Sequence, residues 1–101
     1  MIHHLVFFRF KETARGNSKT ANIAEVQAML EALPDAIPGI KTLSCGSDFS
    51  QTPVSFDFGL YTAFETAEDL EAYRVHTAHQ AVVELIKETT SDRAVVDYET
   101  A

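Results

Sequence analysis

The sequence predicts a single α+β domain over residues 1–101, with elements in the order β-α-β-β-α-β. Three observations predict it. A chain of 101 residues matches the usual size of one domain and leaves no room for a second core. The apolar residues alternate with a period of two in the first and third of four strand-like segments and recur with a helical period in two others. Proline, glycine and small polar residues fall between those segments, where the chain must turn.

Residues 2–10, IHHLVFFRF, are rich in aromatic and β-branched types and read as a strand. Alternation puts Ile2, His4, Val6, Phe8 and Phe10 on one face and His3, Leu5, Phe7 and Arg9 on the other. From Ser18, a candidate N-cap, Ile23, Val26, Leu30 and Leu33 recur at three and four residues, as an amphipathic helix requires. Pro34, Pro38 and Gly39 then stop the helix, because proline lacks a donor and disfavours helix before it. KTLSCGSDFS (41–50) is a weaker strand, and SQTP its turn. VSFDFGLYTAF (54–64) alternates again, with Phe56, Phe58, Leu60 and Phe64 on one face. Thr66 followed by Asp69 is a loose capping box, from which a second helix runs to about Thr89. RAVVDY (93–98) makes a short last strand.

A chain of this order folds as a four-stranded antiparallel sheet with two helices on one face, the ferredoxin-like arrangement. The sheet's other face then carries Leu5, Phe7 and Tyr61 uncovered. A large exposed apolar face marks an interface, so a homodimer is expected.

The charge balance narrows the partners. Fifteen acidic residues against eight basic ones give a net charge of -7, which repels a phosphate backbone, so no nucleic acid is expected. No segment approaches the roughly 20 apolar residues of a membrane span, and the N-terminus lacks a basic signal-peptide start. The single cysteine, Cys45, has no internal partner. These features predict a cytoplasmic protein with no membrane association.

Four stretches together resemble a known family: HHLVFFRFK, IPGIKTLSCGSDFS, LYTAFETAEDLEAYRVHTAHQAVV and the terminal VVDY. They are similar to the stress-responsive A/B barrel domain, a family of dimeric α+β barrels, and the likeness covers nearly the whole chain. The resemblance implies a homodimer whose two sheets face each other, with the helices outside. It also implies kinship with a plant branch of cofactor-independent polyketide cyclases that close a ring by aldol chemistry. In that branch a helical histidine oriented by a C-terminal aspartate is the acid/base group, and the matching positions are His79 and Asp97. The branch's tyrosine falls on Tyr73 and its first-strand histidine on His4. The chain departs from the family at Thr77, where relatives often carry proline, and at Phe58, where the cyclases have a polar pocket residue.

Three readings of YRVHTAHQAVV (73–83) stand beside one another. In a regular helix Tyr73 and His79 point about 120° apart, so their convergence on a pocket between helices and sheet requires a break near His76 to Ala78. With that break, His79 paired to Asp97 is a general base for a small, largely apolar ligand. Without catalysis, His79 is a hydrogen-bonded core residue, and the protein is a small-molecule-binding or stress-related structural dimer. The H-x-x-H spacing of His76 and His79 is the third reading, half of a metal site. No Cys or Glu-rich cluster completes a zinc set, so neither a metal nor a cofactor is expected.

Overall fold

The computed structural model describes residues 1–101. Strand β1 (Ile2–Phe10) is followed by a hairpin of β2 (Thr13–Ala14) and β3 (Asn17–Ser18). Then come helix α1 (Lys19–Glu31), the single turn α2 (Leu33–Ala36), strands β4 (Thr42–Ser47) and β5 (Phe58–Phe64), helices α3 (Ala67–Val75) and α4 (Thr77–Thr89), and strand β6 (Thr90–Glu99). The four long strands form one antiparallel sheet in the order β4-β5-β1-β6. This is the ferredoxin-like α+β fold expected from the order of elements.

The alternation of β1 decides which face is covered. Ile2, His4, Val6, Phe8 and Phe10 are all buried, and the four apolar ones pack with Phe58, Leu60 and Phe64 of β5, Val26 and Leu30 of α1, and Val82, Leu85 and Ile86 of α4 in one core. Burying one such side chain is worth roughly 1.5–3 kcal/mol, so slipping β1 by one residue would exchange this set for the opposite face. On that opposite face Phe7, Val96 and Tyr98 remain exposed.

Caps fix where the helices begin. The Ser18 hydroxyl accepts from Ala21 N at 3.2 Å and starts α1. Thr66 accepts from Asp69 N at 3.1 Å and starts α3, with Glu68 and Asp69 favourably placed in its first turn. A break separates α3 from α4 at His76, whose backbone is extended (φ -66°, ψ 138°) and whose Nδ1 accepts from Ala78 N at 3.0 Å. The histidine is thus the N-cap of α4.

Three boundaries differ from the sequence reading. The third long strand begins at Phe58 and not at Val54, because Asp57 leaves the ladder: its amide donates to Phe8 O and its carboxylate accepts from Phe10 N at 2.7 Å. The last strand is longer than RAVVDY, since it pairs with β1 from Ile2↔Glu99 to Phe10↔Thr90, with an irregularity at Arg9/Phe10. The charged stretch KETARGNS is a hairpin. Its two loop residues, Arg15 (φ 55°) and Gly16 (φ 76°), both have positive φ, as a type I′ turn demands.

Nothing lies within 4 Å of a Cβ built on Gly16, so only the backbone resists a side chain there. Gly16→Ala is expected to lower stability by about 1 kcal/mol, read as a fall in the urea midpoint at unchanged slope. An unchanged midpoint would show that this turn is not held in the left-handed region.

Candidate functional site

Strand pairing, helix breaking and helix packing bring four polar side chains to one place. β1 and β6 run antiparallel with His4 opposite Asp97, both on the helix-facing side. His4 Nδ1 is hydrogen-bonded to Asp97 Oδ1, and Arg74 Nη2 donates to Asp97 Oδ2 at 2.9 Å. A carboxylate only accepts, so the bond places a proton on His4 Nδ1 and leaves Nε2 without a partner in the chain.

The break at His76 sets the second imidazole. It takes Ala78 N away from the helical ladder and leaves Arg74 O without a helical donor. That carbonyl is filled by His79 Nδ1 at 3.2 Å and by Gln80 Nε2 at 2.7 Å. A carbonyl also only accepts, so His79 carries its proton on Nδ1, and its Nε2 is likewise unpartnered.

The same break lets Tyr73 and His79 meet, which a continuous helix would prevent. Their ring centroids are 4.1 Å apart, and Tyr73 stands edge-on to His4 at 6.1 Å. Tyr73 is fully buried, yet its hydroxyl has no hydrogen-bond partner, a state that costs about 1–3 kcal/mol. Burial pushes its phenol up to about 12, so it stays a proton donor throughout the physiological range. Burial also lowers the pKa of His79 below its usual 6.5, only partly opposed by the bond to Arg74 O, while the neighbouring His4, Arg74 and His76 lower it further.

His4, Tyr73, Arg74 and His79 border a cavity of about 170 Å³ between helices and sheet, lined also by Val6, Phe8, Leu30, Leu60, Val83, Ile86 and Val95. An apolar cavity of about 150 Å³ accepts benzene, and drug-sized ligands need roughly 300–1,000 Å³. The space therefore suits one ring or a short branched chain with a polar end.

All four residues named from the sequence lie in or beside this site, but one pairing is corrected. Asp97 bonds His4 and not His79, because strand register fixes its carboxylate above β1 and the broken end of α3 supplies His79 with a carbonyl instead. Arg74, which braces Asp97 with its side chain and His79 with its carbonyl, was not picked out. The signal was present: first and last strands are neighbours in this fold, so His4 and Asp97 were candidates for direct contact. His76 acts as a cap, and no group of three or more His, Cys, Asp or Glu residues is placed to hold a metal ion.

Residues 2–100 match the stress responsive A/B barrel domain. The chain belongs to this family. Among A/B barrel relatives, an uncharacterized protein of Streptomyces coelicolor is 33% identical over 99 residues, spanning 98% of this chain and 99% of that protein. Two solved structures of unknown function, both described as dimeric and ferredoxin-like, share the fold. One from Bacteroides fragilis is 27% identical with a TM-score of 0.87, covering 98% of this chain and 95% of that one. The other, from Thermobifida fusca, is 26% identical with a TM-score of 0.85, covering 98% and 90%. No helix of this A/B barrel chain is long and apolar enough to cross a membrane.

The lowered pKa of His79 has a definite sign. Between the folded value and 6.5 the unfolded chain binds the proton more readily, so stability is complete above pH 6.5 and falls as pH drops through the folded value. In an NMR titration the His79 ring is expected to titrate below pH 6.5, and His79→Gln to flatten the loss of stability in that window. A His79 midpoint at or above 6.5 would contradict the desolvated site.

Proposed function

We propose that this protein is a homodimer whose helix–sheet pocket moves protons on a small carbonyl compound, in the manner of a cofactor-independent aldol cyclase. The observation that carries this reading is the arrangement of the two imidazoles. Each has Nδ1 occupied by an acceptor and Nε2 free, and both line a cavity together with Tyr73, whose hydroxyl has no hydrogen-bond partner.

Roles follow from environment. His79, kept neutral by burial, takes a proton from the carbon next to the substrate carbonyl. The Tyr73 hydroxyl holds the resulting enolate oxygen, and His4, fixed in orientation by its bond to Asp97, lines the same cavity. The enolate carbon then bonds to a second carbonyl carbon of the same molecule, and His79 returns its proton to the alkoxide formed there. Atoms and charge balance without an outside reagent. Arg74 positions both histidines and touches neither reacting carbon.

A second reading has its own support. Seven of the thirteen residues lining the cavity are aliphatic or Phe, which suits a binding protein that holds an apolar molecule without transforming it. Acetophenone and pentane-2,4-dione in D2O separate the two. Catalysis predicts exchange of the α-hydrogens above the buffer rate, reduced about 10²–10⁴-fold in His79→Gln and reduced also in His4→Gln. Binding that shifts the His79 resonances with no exchange above buffer would end the catalytic reading.

The dimer rests on the open sheet face and on the dimeric relatives. Phe7, Val96 and Tyr98 are exposed there, and Phe49 and Val54, in the loop before β5, are 93% and 84% exposed. Sedimentation is expected to give twice 11.2 kDa, and Val96→Asp to give the monomer by placing a charge in the interface. A monomeric wild type at micromolar concentration would refute the assembly.

A further inference from the structure

The charge around the proposed pocket runs against that of the whole chain. Of the eight Lys and Arg residues in a protein of net charge -7, Arg74, Lys87 and Arg93 line this one cavity, and none of its thirteen lining residues is acidic. Arg74 is neutralised by Asp97 at 2.9 Å. The other two cations are largely free. Lys87 meets only Glu84, at 3.7 Å with both side chains 68% exposed, an ion pair of little strength. Arg93 forms no ion pair with any carboxylate in the chain.

Their positions make them a rim. Arg93 lies opposite Phe8 in the β1–β6 register, so it is on the helix-facing side of the sheet's edge strand, next in that row to Val95. Lys87 follows Val83 and Ile86 on α4. Both are exposed at their own positions while Val6, Phe8 and Leu60 beneath are buried. The cavity thus has a polar end of two imidazoles and a phenol, an apolar body, and a positively charged mouth.

We propose that the ligand of this pocket is an organic monocarboxylate, with its carboxylate between Arg93 and Lys87 and its ring or branched chain against Val6, Phe8, Leu60 and Val95. The inference rests on the proposed function and narrows its substrate to a keto or hydroxy acid whose carbonyl or hydroxyl lies toward His4, Tyr73 and His79. Arginine matches a carboxylate with two parallel N–H donors, and lysine adds a point charge. At an open mouth such contacts are screened by salt, so they select and orient an anion more than they hold it.

Benzoate and benzamide have the same shape and differ in charge. Titrated into the intact protein at low salt and followed by NMR at the His4 and His79 rings, benzoate is expected to bind about tenfold tighter than benzamide. That advantage should shrink in 0.5 M sodium chloride and vanish in the Arg93→Gln, Lys87→Gln double variant. Benzamide should bind the double variant as it binds the wild type, which also shows that the variant is folded. If benzamide binds as tightly as benzoate, or the double variant keeps the preference, the carboxylate proposal is overturned and the pocket reading survives. If neither probe perturbs the two histidines, both readings fall.

Discussion

The pairing of the first strand with the last is the interaction on which the site depends. β1 is central, flanked by β5 and β6, and nine register pairs tie it to the C-terminal strand. That register places His4 beside Asp97, although they are 93 residues apart in sequence. Neither residue alone is a chemical signal. Side by side, with Arg74 on the other carboxylate oxygen, they form an imidazole of fixed orientation with one nitrogen free. A pairing of such sequence separation also costs loop-closure entropy before it returns any contact, so the site is assembled only when the whole sheet is.

A second constraint acts through the helices. The interruption at His76 strands the carbonyl of Arg74 and brings the Tyr73 and His79 rings to 4.1 Å between centroids. One local event therefore fixes a tautomer and sets a half-buried imidazole beside the cavity. A broken helix with a capping histidine is less stable than a continuous one, and the orphaned Tyr73 hydroxyl adds to that cost. Local rules of folding are set aside at the place where a ligand would be held.

Much of the fold was legible because its signals are local. Alternation in IHHLVFFRF and the three–four spacing of Ile23, Val26 and Leu30 each report a face directly, and their order implies the topology. The resemblance of Y-x-x-H-x-x-H and the later D-Y pointed to the four polar positions. What stayed hidden was nonlocal. Whether Asp97 served His79 or His4 depended on register and on the unfilled carbonyl of Arg74, neither of which has a sequence pattern. The β2–β3 hairpin was missed because positive φ at Arg15 accompanies Gly16 in a loop without apolar alternation. The cations of the pocket rim were hidden because Arg74, Lys87 and Arg93 come from three different elements.

The account turns on which nitrogen of each imidazole bears the proton. Long-range ¹H–¹⁵N correlation of the histidine rings at neutral pH measures this directly. The prediction is a protonated Nδ1 and an unprotonated Nε2 for His79, together with an Nδ1 proton on His4 whose resonance moves when Asp97 is changed to Asn. A His79 protonated on Nε2, or a His4 ring indifferent to Asp97→Asn, would contradict it.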